Sequence, residues 1–135
     1  MDNRMVPHIF AQNDHDLAYA QGYVTAMDRL WQMDIATRAI SGRLSEIIGT
    51  RTLETDKINR RKGHVYAAEN AIAEWKKDPK LYSILESYAQ GINDYIAGLQ
   101  EKDYPVEFKL LNYKPEAWTP LKTALFVISM AQTLA

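Results

Sequence analysis

The sequence predicts a mainly α chain: an irregular bundle of four to five helices preceded by a short extended N-terminal arm. Three observations carry this expectation. Apolar residues recur at spacings of three and four through most of the 135 positions. Pro and Gly fall at the ends of those stretches. Only one short segment, close to the N-terminus, reads as extended. With no internal repeat, low-complexity run or linker, residues 1–135 read as a single helical domain.

That extended segment is "VPHIFA", Val6 to Ala11. Pro7 has no N–H to give a ladder, so the segment suits a sheet edge or a free arm and needs a strand from elsewhere. The first helix follows, capped by Asn13 or Asp14 and running to Ser41. Leu17, Ala20, Val24, Met27, Trp31 and Ile35 form one apolar stripe; Tyr19, Tyr23, Ala26, Leu30 and Met33 form a second. Two stripes predict burial on more than one side. Gly42 ends this helix, and "GRLSEIIG" adds a turn or two before Gly49.

Residues 55–79 predict a third helix, capped by Thr55 or Asp56 and ended by Pro79. Ile58, Val65, Ala68, Ile72 and Trp75 form its inward face, and Gly63 weakens its first turns. Residues 80–100 carry the cleanest stripe: Leu81, Leu85, Tyr88, Ile92, Tyr95 or Ile96, and Leu99, with Gly98 near the C-terminal cap. Between Glu101 and Trp118 no period persists, and one turn is expected at Glu107 to Leu111. Thr119 then caps a last, densely apolar helix with Pro120 at its first position, where a missing N–H costs nothing.

Composition narrows function by exclusion. Net charge is −1, and the one basic run is Arg60-Arg61-Lys62, which reads as a solvated helix face. Neither nucleic acid nor an anionic membrane surface is expected as a partner. The apolar C-terminal run is about 15 residues, short of the roughly 20 that span a bilayer. With no cysteine there is no disulfide, thiolate metal site or Cys nucleophile. His8, His15 and His64 lack the spacing and carboxylate company of a metal site. Ser41, Ser45, Ser83 and Ser129 sit in helical settings with no His base nearby. Asp34 and Arg38 are i, i+4 neighbours and read as a structural ion pair. Arg29, Arg38, Arg43 and Glu46 are expected to form a network holding the first helices together. The Tyr and Trp residues read as core.

The segments "VPHIFA", "DLAYAQGYVTAMDRLWQMD", "SGRLSEIIG", "YAQGINDYI", "PVEF" and "EAWTP" occur in that order. Together they resemble the N-terminal part of the penicillin acylase family of N-terminal-nucleophile hydrolases. Two positions depart from the family's habit: Met5 stands where a glycine usually precedes Val-Pro-His, and Lys122 where an aspartate usually follows the W-T-P turn.

The resemblance implies an exported, periplasmic or secreted precursor that cuts itself into a smaller α chain and a larger β chain. The new N-terminal residue of the β chain, usually Ser, is the nucleophile. Its own α-amino group is the base, and β-chain donors form the oxyanion hole. The substrate is a small-molecule acyl amide of the penicillin or acyl-homoserine-lactone type.

On this reading the chain is most of an α chain. It holds no catalytic residue and no metal ligand of its own, and alone it is expected to be inactive. Its partner is the β chain of the same precursor, over which the last helix packs; without it the fragment is expected to self-associate. A calcium ion often joins the two chains in the family, through an α-chain ligand expected beyond Ala135. By position from the W-T-P turn, Met130 and Leu134 fall where the family's acyl pocket is lined. The residues alone leave ordinary core packing as an equal alternative for both. Leu134, where a bulkier aromatic is sometimes found, hints at a roomier pocket. A stand-alone helical binding module without catalysis is the alternative reading of the whole.

Overall fold

A computed structural model of the chain describes residues 4–134. Seven α-helices succeed one another: α1 (Asp14–Ser41), α2 (Ser45–Ile48), α3 (Leu53–Arg61), α4 (His64–Trp75), α5 (Pro79–Gly98), α6 (Val106–Leu110) and α7 (Pro120–Leu134). Short 3₁₀ turns lie at Thr50–Thr52 and Glu101–Asp103. Five of the helices have nine residues or more, so the expected mainly α bundle of four to five helices stands. Among the described residues no strand forms. The segment Val6 to Ala11 is an arm without regular structure, with Phe10 almost wholly exposed.

Local chemistry sets most boundaries as expected. The Asn13 side chain accepts from the Asp16 N–H and opens α1. At the other end Gly42 takes φ +69, its N–H reaching Ala39 O while the Arg43 N–H reaches Arg38 O. This paired closure needs a left-handed residue, and a Cβ there would meet Asp56 O at 2.6 Å.

Three expectations are corrected. The third helix is two, because Gly63 (φ +74) separates α3 from α4. Pro79 also does not end it: α4 stops at Trp75, and Pro79 opens α5 with Asp78 as cap, accepting from the N–H groups of Lys80 and Leu81. Asp56 does not cap the helix that contains it. It is buried inside α3 and accepts from the N–H groups of Leu44 and Ser45 at 2.9 and 2.7 Å, fixing the start of α2. Burial opposes its charge, but those bonds hold its carboxyl below the usual range.

The α1–α5 pair is the spine. Contacts rise together along both helices, Asp14 to Lys80, Tyr19 to Asp94 and Tyr23 to Tyr95, so the two run in the same direction. Where they cross, the tetrapeptide Tyr19-Ala20-Gln21-Gly22 meets Tyr88-Ala89-Gln90-Gly91. A Cβ on Gly22 would lie 2.1 Å from Tyr88 O, and one on Gly91 would lie 2.0 Å from Tyr19 O. Each tetrapeptide thus offers its glycine to the carbonyl of the other's tyrosine, and the backbones touch. The buried line of α1 is therefore Ala18, Gly22, Ala26, Leu30 and Met33. Leu17 and Met27, expected inward, are exposed flanks.

Two apolar clusters result. One gathers Ala26, Leu30, Met33, Ala89, Ile92, Phe108 and Trp118; the other gathers Ile40, Ala68, Ala124 and Leu125 under Val65, Ile72 and Trp75. The second holds α7 against α4 and the end of α1. Within α1 only Arg29 departs from helical geometry (φ −137, ψ 18), which kinks the helix.

Candidate functional site

The loop before α7 determines where that helix lies. Asn93 of α5 brackets Trp118: its side-chain oxygen accepts the Trp118 N–H at 2.6 Å, and its amide donates to the Trp118 carbonyl at 3.0 Å. The indole N–H of Trp118 donates to Thr123 Oγ1 at 2.9 Å. Lys122 N–H reaches Thr119 Oγ1 at 3.4 Å, as the expected cap requires. The W-T-P turn is thus tied both to α5 and to the helix it starts.

Beside this turn lies a buried ionic network. Arg38, 4% exposed, sits at its centre. Its Nε donates to Asp34 Oδ2 at 2.9 Å, and its two terminal nitrogens lie 2.9 Å from Glu46 and 2.8 Å from Glu116. Arg43 donates to Glu46 at 2.9 and 2.8 Å and to Glu116 at 3.2 and 2.7 Å. Tyr113 OH donates to Asp34 Oδ2 at 2.8 Å. Lys122 Nζ lies 3.2 Å from Glu116 Oε2, an ion-pair distance without hydrogen-bond alignment. The cluster holds three carboxylates and three cations, so it is neutral as a unit.

Three of the four residues expected in the network are in it. Arg38, Arg43 and Glu46 belong to it. Arg29 does not, because it sits at the kink and makes only a long 3.5 Å contact to Gln32 on the surface. Glu116, Tyr113 and Lys122, from the far end of the chain, complete it.

Protonation follows from these partners. Arg43 donating to Glu116 holds that carboxyl at about 2, with Lys122 adding to the effect. Burial lowers the Lys122 ammonium, and burial together with Asp34 raises the Tyr113 phenol. Since the Glu116 carboxyl ordinarily titrates at 4.5, its contribution is full above that value and is lost as pH falls from there towards 2. Glu116→Gln is expected to flatten the acid side of the stability profile. The effect is modest, because Glu116 is about a third exposed and screened. Melting temperatures at pH 3 and pH 7 check this; equal pH dependence in both proteins would contradict it.

The network joins α1 to the start of α7, and the same two helices frame a groove of about 340 Å³. Gln32 and Ala36 of α1 and Phe126, Ser129, Met130, Thr133 and Leu134 of α7 line it. The structure thus brings Met130 and Leu134 into one groove, and neither is core: they are 52% and 85% exposed. Val127, next to this stripe, is 52% exposed. The sequence reading missed Gln32 and Ala36, which carry no signal of their own.

One pairing corrects the sequence reading. Ser87, which that reading passed over, stands 3.1 Å from His15 Nδ1. This is not an activated nucleophile. The Ser87 hydroxyl is within hydrogen-bond distance of the Ser83 carbonyl at 3.0 Å, as expected of a serine inside a helix. Among the described residues no group of three or more His, Cys, Asp or Glu side chains could hold a metal ion, and no helix is long and apolar enough to cross a membrane.

The fold and site together define a class: a mainly helical chain with a clamped final helix and an apolar groove along it. The comparisons assign it. The chain belongs to the penicillin amidase family, whose model, described as Penicillin amidase, matches residues 1–135. It is 36% identical over 134 residues to a penicillin G acylase of Escherichia coli, covering 96% of this chain and 16% of that protein. It is 37% identical over 120 residues to an acyl-homoserine lactone acylase, QuiP, of Pseudomonas aeruginosa, covering 89% of this chain and 14% of that one. A thermostable penicillin G acylase from Alcaligenes faecalis superposes with a TM-score of 0.82 at 30% identity, over 98% of this chain and 70% of that chain. The chain therefore spans about one-sixth of the length of the curated relatives it matches.

Proposed function

We propose that this chain is the N-terminal, α-chain part of an amidohydrolase that cleaves linear acyl amides by acyl transfer to a nucleophile on a separate β chain. The observation that carries this is the exposed groove between α1 and α7. It is apolar along most of its length and sized for an acyl group, and the hydroxyls that line it, Ser129 and Thr133, have no His, Asp or Glu among the lining residues to act as their base. Chemistry at this groove must come from polypeptide laid against it, and the half-exposed Val127 and Met130 offer that polypeptide an apolar surface. Met130 and Leu134 contact the acyl group in this reading. The relatives' names supply both substrate classes, penicillin-type amides and acyl-homoserine lactones. A periplasmic or secreted location belongs to the same proposal. A calcium ion joining the two chains belongs to the same proposal. The stand-alone binding module loses its support with the family assignment.

The test is kinetic. The full polypeptide, after maturation, is assayed against a panel of penicillin-type and acyl-homoserine-lactone amides, beside residues 1–135 alone. Activity is expected only in the former. Met130→Trp fills the groove and is expected to lower kcat/KM for long acyl chains about tenfold or more, roughly 1.4 kcal/mol of transition-state binding. Hydrolysis by residues 1–135 alone, or an indifferent Met130→Trp, would overturn the proposal.

A further inference from the structure

A cavity of about 570 Å³ lies away from the groove, at the turn formed by residues 101–114. None of its lining residues belongs to the groove or is assigned a role above except Tyr113, whose hydroxyl is turned to Asp34. Its accessible aromatic surface is that of Tyr104 and Tyr113. Phe108 is fully buried beneath it, with the Tyr113 ring at 4.8 Å and the Tyr104 ring at 6.4 Å from it. Its rim is basic: Lys102, Lys109 and Lys114 against the single acid Glu101.

Two of those ammoniums are occupied. Lys114 pairs with Glu101 at 2.5 Å, and Lys109 donates to the Lys102 carbonyl. The Lys102 ammonium has no partner among the described residues, and it stands at the rim of a cavity whose other cations already exceed its acid. Three further cavities offer a contrast: Asp16 and Glu86 line one, Asp14 is the charged residue of another, and the groove carries no charge. Among these four cavities, excess positive charge stands only at this one, beside Tyr104 and Tyr113.

We propose that this cavity binds an aromatic carboxylate, its ring against the partly exposed Tyr104 and Tyr113 and its charge at Lys102. Ring-on-ring contact supplies the apolar part of the binding, edge-to-face or offset as the existing aromatic pairs are. The three ammoniums reject cationic ligands of the same shape. The volume falls within the range that small-molecule sites occupy. A lysine suits one carboxylate as a point charge, whereas a bidentate anion site would call for arginine, of which the cavity has none.

The test uses the full polypeptide and fluorine NMR, with 4-fluorobenzoate and 4-fluorobenzylamine as probes. The carboxylate is expected to bind saturably and the amine not. Lys102→Glu is expected to weaken the carboxylate about tenfold, and Lys102→Arg to retain it. Lys102 is exposed, so neither change threatens the fold. Met130→Trp, which blocks the groove, is expected to leave this binding unchanged. Loss of binding in Met130→Trp but not in Lys102→Glu would place the probe in the groove and overturn the proposal. So would equal binding of the amine, competition by inorganic phosphate alone, or no saturable binding. The outcome is independent of amide hydrolysis.

Discussion

Replacing Gly91 by alanine drives α1 and α5 apart and costs about 3 kcal/mol or more, the upper range for overpacking, because the obstruction is rigid. The added methyl would stand 2.0 Å from the Tyr19 carbonyl oxygen and 2.9 Å from the Tyr23 amide nitrogen. Both are backbone atoms within a helix and cannot rotate away. Relief requires moving one helix bodily, which opens the cluster of Ala26, Leu30, Ala89 and Ile92 behind the crossing. A fall of roughly 10 °C in melting temperature is expected for a domain of this size. Gly98→Ala is the control: no atom lies within 4 Å of its Cβ, and a helical Gly-to-Ala change there is neutral or stabilising by up to about 1 kcal/mol. Gly22→Ala meets Tyr88 O at 2.1 Å and is expected to cost as much as Gly91→Ala. Combined, the two changes cost less than their sum, because either alone already separates the helices. A Gly91→Ala protein melting within about 2 °C of its parent would show that the backbones do not touch at this crossing.

The second large effect is at Arg38. Arg38→Met keeps the volume but leaves Asp34, 5% exposed, with one hydrogen bond from Tyr113. Breaking a buried pair from one side costs about 3–5 kcal/mol, most of it the desolvation of the orphaned charge. Arg38→Lys is expected to fall between the two. One ammonium cannot reach Asp34, Glu46 and Glu116 together as the guanidinium fork does. Changing Asp34 to Leu alongside Arg38→Met is expected to recover much of the loss, since no buried charge then remains unpaired at that point. Chemical denaturation of the four proteins checks this. If Arg38→Met costs less than about 1 kcal/mol, the network is a surface feature and the clamp on α7 lies elsewhere.

These two predictions mark where sequence reasoning succeeded and where it stopped. In α5 and α7 the apolar stripe, with Thr119 and Pro120 at the start of α7, placed the helices to within a turn, although Pro79 was read as an end where it is a start. In α1 the stripes misled. A search by hydrophobic size selects Leu17 and Met27, whereas the buried line is small because two backbones press together there. The twin Tyr-Ala-Gln-Gly tetrapeptides were in plain view, but their meeting depends on how the helices cross. Arg38 and Arg43 were recognised as a network, yet Glu116 lies 73 residues from Arg43 and Tyr113 lies 79 from Asp34. Met130 and Leu134 drew notice only through the resemblance, and their opposite wall, Gln32 and Ala36, drew none.

By itself the sequence determined what is local: which stretches are helical, where most of them start and stop, and to which family it belongs. Helix formation is governed by bonds four residues apart and by caps within a turn, so a short window suffices. The tertiary structure alone decided which distant groups share a site: the glycine crossing, the neutral six-charge network, His15 beside Ser87, and the groove between α1 and α7. Those meetings join residues about 70 to 100 positions apart, and packing, which no local spacing encodes, brings them together.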